Sequence, residues 1–463
     1  MQPTSSQIDL RQSTMHLTQD PIGTLIRQLA IPASVGFFFN TMYNVVDTWY
    51  AGRLSTDALG ALSISFPVFF LLIAISGGLS QGATALMANA LGAQEPAEAS
   101  QLAVQAGLLG ACLGVLLTAV GLLLSPTLFG ILGASGPYLQ IALDYMNTIW
   151  MGTLFFIGQS MVNAALQAQG DTATYRNQLI AGFFMNLLLN PWFMYGGLGV
   201  PAMGIGGIAL ATVLIQLIGL IYMISKLMKT AMAWPIRLEA WRPKWGTWRA
   251  LMAQGLPASM SMMTVAAGIF IITWFVSFFS QEGVAAYGIA TRIEQILLLP
   301  TIGLNVAVLT LVGQNHGAGR WDRVREIRQT SLKIGLAMML AGGGLLYLMA
   351  EPAMGWFTPD TEVRTLGSDY LRIASITLCA YVILFQTVFM LQGIKRPMMS
   401  LWIGLYRQIL APMLVFYGLA FGLDWKLDGI WWGIFGVTWS AALFSFFYGN
   451  GVIKQLASSS EPH

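Results

Sequence analysis

The sequence predicts an all-α polytopic membrane protein, with twelve transmembrane helices in two six-helix bundles related by a pseudo-two-fold axis along the membrane normal. Composition, the recurrence of long apolar runs and an internal repeat predict it. Of 463 residues 56% are hydrophobic and 9% charged, with a mean hydropathy of +0.66, whereas a soluble domain carries about 25% charged residues. Apolar runs of roughly 20 residues recur along the chain, each long enough to cross about 30 Å of hydrocarbon at about 1.5 Å per helical residue. Spanning strands would need a closed barrel of short alternating segments, which these runs are not.

Taken in order, the runs predict spans near 25–51, 58–86, 101–125, 138–166, 175–196, 203–228, 248–279, 283–312, 330–350, 368–392, 398–420 and 428–455. Residues 1–24 are polar and lack the basic start and short apolar core of a secretory signal, so insertion is expected to begin with the first span. Lys226, Lys229, Arg237, Arg242, Lys244 and Arg249 crowd the connection after span six, Arg320, Arg323, Arg325 and Arg328 follow span eight, and Lys395 and Arg396 follow span ten. Positive charge marks these loops as cytoplasmic, which puts both termini on the same inner side. The expected units are a polar N-terminus 1–24, a first lobe 25–228, a basic linker 229–247, a second lobe 248–455 and a tail 456–463.

The repeat emerges when the chain is slid against itself by 225 residues (257 minus 32). Pro32-Ala33-Ser34 then falls on Pro257-Ala258-Ser259, Thr48-Trp49 on Thr273-Trp274, Gly78 on Gly303, Gly92-Ala93 on Gly317-Ala318 and Asp144-Tyr145 on Asp369-Tyr370. Six spans per half is an even number, so both halves share one orientation; substrate sites in such folds lie between the lobes.

One stretch breaks the repeat. Asn40, Tyr43, Asn44 and Asp47 recur at helical spacing in span one, which predicts a polar side turned away from lipid. Asp47 aligns with Ile272, so the acid belongs to the first half only. A carboxylate in hydrocarbon costs about 2.5–3.5 kcal/mol on insertion scales, so it marks an ion or substrate pathway unless it serves as a polar clamp between helices.

Several function classes are excluded. A net charge of +3 with basic residues confined to loops does not suggest nucleic-acid binding. Cys112 and Cys379 sit in apolar runs and make neither a disulfide framework nor a metal site. His16 and His463 are terminal and His316 is assigned to a loop, so the spans hold no catalytic set and no enzyme is expected.

The stretches Asn44-Val45-Val46-Asp47-Thr48-Trp49-Tyr50-Ala51-Gly52, Gln169-Gly170-Asp171, Asn186-Leu187-Leu188-Leu189-Asn190-Pro191, Gly204 to Thr212 and Leu311-Val312-Gly313-Gln314-Asn315-His316-Gly317-Ala318-Gly319 together resemble the multidrug and toxic compound extrusion (MATE) family of cation-coupled efflux transporters. Counting residues from the outer helix ends independently puts Asp47, Asn186, Asn190 and Thr212 in one half of the membrane, with Tyr145 within reach. The resemblance implies that this cluster, taken here with Asn44, is the cation site of the first lobe. Many relatives carry a second carboxylate where this chain has Asn190. Na⁺ tolerates neutral oxygen ligands and remains the alternative, but a lone buried carboxylic acid suits a proton carrier, so H⁺ coupling is favoured.

Span seven holds no acid, which places the resemblance closer to the DinF-like than to the NorM-like branch. Span eight carries Arg292 and Glu294 and span eleven Arg407; Glu294 and Arg407 lie at matching depth and are expected to form an internal ion pair. If the resemblance holds, Asn40, Tyr43, Met42, Phe66, Met260, Met263 and Trp274 are candidates to line the cavity between lobes, although such side chains also face lipid on many helices. Aromatic faces and adaptable methionines suit lipophilic cations. The expectation is therefore a monomeric antiporter without cofactor in a bacterial inner membrane, exporting lipophilic, often cationic compounds by alternating access. The rival is a flippase or exporter of a lipid-linked or amphipathic metabolite, for which Arg292 and Arg407 are the candidate phosphate-binding cations.

Overall fold

The computed structural model describes residues 16–233 and 238–459. Residues 1–15, the linker segment 234–237 with Pro235 and Arg237, and residues 460–463 with His463 lie outside the described residues. The first half comprises α1 (Ile22–Leu54), α2 (Thr56–Gly92), α3 (Pro96–Ile131), α4 (Gly136–Met151), α5 (Thr153–Ala168), α6 (Ala173–Tyr195) and α7 (Ile205–Leu227). The second half comprises α8 (Trp245–Ser277), α9 (Gln281–Gly317), α10 (Trp321–Gly355), α11 (Thr361–Gly393), α12 (Met398–Gly422) and α13 (Lys426–Ser459). Helices α4 and α5 are two parts of one span bent by 45° at Gly152. Among the described residues ten helices, together with that bent pair, are long and apolar enough to cross a membrane. The remaining one, α6, has the length of a span but carries Arg176, Asn177, Gln178, Asn186 and Asn190.

The halves keep one register. Shifting α2 by 225 residues gives the bounds of α9, and shifting the start of α4 and the end of α5 gives those of α11. Contacts between the halves are reciprocal. Asn89 Nδ2 donates to the Gly393 carbonyl at 2.8 Å and its mate Gln314 Nε2 donates to Ala168, the mate of Gly393, at 2.7 Å. Ser34 Oγ donates to Pro300 at 3.3 Å and its mate Ser259 Oγ to Ile75, the mate of Pro300, at 3.1 Å. A Cβ on Gly78 would fall 2.2 Å from the Ser259 amide, and one on its mate Gly303 would fall 2.2 Å from Ser34 Oγ, so both crossings need glycine. When i meets j and the mate of i meets the mate of j, the relation is a two-fold rotation.

The helix starts are exchanged across that axis. Leu25, Ile26 and Leu29 of α1 are buried in one cluster with Leu304, Ile327 and Leu384 of the second half, while Leu251 of α8 is buried with Leu79, Met87 and Ala106 of the first. All the inter-half contacts named here lie toward the end of the bundle at which α1 begins and α13 ends, called below the terminal face.

Two assignments made from the sequence change. His316 lies not in a loop but in the last turn of α9, and Arg323, Arg325 and Arg328 sit in the first turns of α10, because the break is only the short turn 318–320, with Gly319 at φ +69° and the Arg320 amide bonded to the Asn315 carbonyl at 2.8 Å. Both cysteines, lying in apolar runs, are expected to be small buried hydrophobes; Cys379 is buried, but Cys112 is exposed on α3.

Candidate functional site

Asn186 and Asn190, four residues apart on α6, are buried and form a narrow polar stripe facing α1, while Gly182 one turn earlier packs beside Ile215 of α7. Opposite it Asp47 is 5% exposed. Its Oδ1 accepts from Asn186 Nδ2 and Asn190 Nδ2, each at 2.8 Å, and the two amides are joined by a 3.2 Å bond from Asn190 to Asn186 Oδ1. Oδ2 is less well served. The Thr212 hydroxyl, from the second turn of α7, is 3.5 Å away and lies 3.1 Å from the Ile208 carbonyl, its nearer acceptor. The Tyr50 hydroxyl donates to the Leu187 carbonyl at 3.1 Å and ties α1 to α6 beside the cluster.

Two further oxygens are enclosed here without a hydrogen bond of good geometry, Asn190 Oδ1 and the hydroxyl of Tyr43, which neighbours Asp47, Asn186 and Thr212. Tyr145 of α4 is buried near Asp47. The site is thus one carboxylate among neutral oxygens, which fits a proton or a monovalent cation. It lacks the charge of a divalent centre, and among the described residues no group of three or more His, Cys, Asp or Glu side chains gathers to hold a metal.

Of the expected cation-site residues, Asp47, Asn186, Asn190, Thr212 and Tyr145 come together; Asn44 does not. Its amide donates to the Asn40 carbonyl at 2.8 Å on the exposed side of α1, because three residues before Asp47 the side chain points to the flank of the stripe. Tyr43, expected at the cavity, instead places its hydroxyl in the Asp47 cluster. Of the other cavity candidates, Asn40, Phe66, Met260 and Trp274 are exposed and Met42 and Met263 partly so.

The second half holds a different arrangement. Glu294 and Arg407, expected to pair directly or through one water, line one cavity of about 160 Å³ together with Tyr287, Tyr370, Tyr381 and Thr438 and make no direct ion pair. The two ion pairs among the described residues are Arg364–Glu351 at 3.6 Å and Arg372–Asp369 at 3.3 Å. The physical reason is that each charge has another partner. Glu294 Oε2 accepts from the Tyr370 hydroxyl at 2.8 Å, and the Arg407 guanidinium stacks 5.0 Å from the ring centre of Tyr381 and 5.7 Å from that of Phe385. Arg407 sits in a π-helical turn, Tyr406–Leu410, ahead of Pro412, and such turns re-aim side chains inside a helix. Glu294 Oε1 is buried without a hydrogen bond. Arg292, grouped with this pair from the sequence, is exposed on α9.

A MatE family profile matches the chain twice, over residues 32–192 and 257–417. The chain belongs to the MATE family. Members are membrane transporters coupled to an ion gradient, which fits a multi-pass helical chain with an acid buried in its first span. The two matched intervals are themselves offset by 225 residues at both ends. Among curated MATE-like proteins, the "FAD transporter" of Shewanella oneidensis is 28% identical over 409 residues, covering 85% of this chain and 87% of that protein. The "Probable multidrug resistance protein NorM" of Thermotoga maritima is 28% identical over 355 residues, 75% of each chain. Among solved structures, a MATE protein in the straight conformation superposes with a TM-score of 0.89 at 25% identity, covering 96% of this chain and 99% of that one. A MOP superfamily transporter from Pyrococcus furiosus, whose description reports a binding pocket of reversed polarity, gives 0.88 at 25% identity, covering 96% and 98%.

Two site residues were not singled out from the sequence, the Tyr43 hydroxyl as a cluster member and Tyr370 as the partner of Glu294. The second signal was present in the repeat, since Tyr370 is the mate of Tyr145 and both lobes of this MATE protein set a tyrosine beside the buried acid.

Proposed function

We propose that this chain is a cation-coupled antiporter of the DinF-like branch that exports lipophilic, often cationic compounds, with H⁺ as the coupling ion and Asp47 as its carrier. The supporting observation is the asymmetry of the carboxylate, with two strong amide donors on Oδ1 and only a 3.5 Å hydroxyl at Oδ2. Oδ2 can take up a proton without breaking either amide bond. The proton neutralises the one buried charge of the cluster, which removes the main electrostatic reason for α1 to stay against α6 and α7. Alternating access follows if α1 then bends at Pro32 or Gly36 and narrows a cavity lined by Asn40, Met42, Phe66, Met260, Met263 and Trp274. The lobes are residues 25–228 and 248–455, the basic terminal face is cytoplasmic in a bacterial inner membrane, and a monomer suffices. The deciding experiment is dye efflux from liposomes containing the purified protein, driven first by a proton gradient and separately by a sodium gradient. Efflux driven by sodium alone would overturn the proton reading.

A second reading is favoured by one relative. Because a protein 28% identical is named a FAD transporter, an amphipathic metabolite is the alternative cargo, tested by flavin export in the same liposomes.

A further inference from the structure

We infer that residues 17–20 are a strap that holds the terminal face shut by bridging the two lobes, with Asn315, Arg320 and Arg323 as its latch. The strap is a turn closed by the Asp20 carboxylate on the His16 amide at 2.9 Å, and it runs straight into α1. The second lobe grips its backbone. Asn315 Nδ2 donates to the Leu17 carbonyl at 3.1 Å, Arg320 Nη1 to Thr18 at 2.8 Å, and Arg323 Nη2 to Asp20 at 2.7 Å with Nη1 3.4 Å from Gln19. Arg323 Nε donates at 3.0 Å to Asn315 Oδ1, which fixes the latch residues against one another. Guanidinium donors on successive carbonyls are among the stronger neutral-acceptor contacts a protein makes.

The first lobe holds the same strap from the other side. The Leu17 side chain, 3% exposed, covers the α5–α6 turn at Gly170, where an added Cβ would sit 3.1 Å from Leu17 Cδ1. Gly170 also has φ +88°, a conformation that favours glycine. A short segment is therefore clamped between surfaces that must separate if the terminal face is ever to open.

The two-fold supplies an internal control. The mates of Asn315, Arg320 and Arg323 are Ala90, Glu95 and Glu98, and the mate of Gly170 is Lys395. Carboxylates accept hydrogen bonds and cannot bind carbonyls. Among the described residues the equivalent segment is held without guanidinium donors. Arg242 and Lys244, the mates of Leu17 and Gln19, are held on α3, where Gln105 donates to the Arg242 carbonyl and accepts from the Lys244 amide and Gln101 accepts from Lys244 Nζ, while Ala90, Glu95, Glu98 and Lys395 line a cavity of about 430 Å³. The fold is the same and the charge is opposite, so what sets residues 17–20 apart is the guanidinium latch and not the presence of a segment at this place.

This inference deepens the alternating-access reading and rests on it only for its consequence. It is tested on the full chain with Cys112 and Cys379 replaced by Ala, carrying spin labels at A97C in the first lobe and R325C in the second, both exposed on the terminal face. The parent is expected to give one short inter-label distance, and R320A/R323A a new longer component with unchanged helicity. A distance distribution identical to the parent in folded R320A/R323A overturns the strap. The opposite variant, T18C/R320C without the labelling cysteines and joined by a short bifunctional thiol reagent, is expected to lose efflux that returns when the cross-linker is cleaved; cross-linked protein that still exports dye overturns it, and this arm decides if the alanine variant does not fold. The distance readings need no substrate, so absence of export from uncross-linked protein would count against the transport function while leaving the strap to stand or fall on its own.

Discussion

The two lobes use one architecture to bury charge in two ways. In the first, Asp47 faces amides, hydroxyls and a tyrosine, and no cation stands near it among the contacts described. In the second, Glu294 comes from α9 instead of α8, bonds Tyr370, and shares its cavity with the Arg407 guanidinium. The second site is close to electrically balanced by its own residues. The first is balanced only when something positive arrives. A buried uncompensated charge is far costlier than one with an opposite charge in the same cavity, and on the proposed function that difference assigns coupling to the first lobe and shape to the second.

The largest effect expected from this difference is at Asp47. Asp47→Asn keeps size and polarity but cannot gain or lose a proton, and should reduce gradient-driven dye efflux to the level of empty liposomes while the protein remains folded. Efflux at the parent rate would move the carrier elsewhere, with Glu294 next in line. Glu294→Gln should act on stability instead. It leaves Arg407 without its compensating acid and should cost about 1–3 kcal/mol, read as a lower midpoint in thermal unfolding in detergent, with gradient-driven efflux retained. If Glu294→Gln loses coupling and Asp47→Asn does not, the assignment of roles is reversed.

Asn190→Asp sharpens the comparison from the other direction. It adds a second carboxylate on the same stripe, within reach of the first, and an added anionic ligand should strengthen Na⁺ binding about tenfold, equivalent to about 1.4 kcal/mol. The measurement is sodium-dependent thermal stabilisation of the variant against the parent. No gain in sodium dependence would mean that the Asp47 cluster is too enclosed to admit the ion.

Most of the fold was legible because it rests on patterns that one chain displays by itself. Apolar runs and the 225-residue offset need no partner to be read, and they place Pro32 with Pro257 and Gly78 with Gly303. Much of the first site was legible for a related reason, since depth along a helix is a count of residues and puts Asp47, Asn186, Asn190 and Thr212 at one level. Depth says nothing about rotation. Glu294 and Arg407 do share a level, yet Tyr370 and the rings of Tyr381 and Phe385 take their places as partners. The π-helical turn that aims Arg407 is likewise invisible to a count at 3.6 residues per turn. The strap is missed for another reason: it depends on backbone carbonyls, which carry no sequence signature.

The smallest expected effect is the one that tests rotation directly. Asn44 and Tyr43 are neighbours in sequence on α1, and the sequence expectation puts Asn44 in the cation cluster and Tyr43 at the cavity. The structure places them differently. Asn44 turns its amide to the Asn40 carbonyl of its own helix, on the exposed flank, whereas the Tyr43 hydroxyl is enclosed beside Asp47. Asn44→Ala removes only a local exposed bond and should leave both the rate and the pH dependence of efflux within about twofold of the parent, the size of change an exposed contact of a few tenths of a kcal/mol can cause. Tyr43→Phe removes a hydroxyl from the cluster without changing its shape, and should shift the pH dependence of efflux while leaving the fold intact. A shift with Asn44→Ala and none with Tyr43→Phe would show that α1 is rotated in the working transporter relative to the arrangement described.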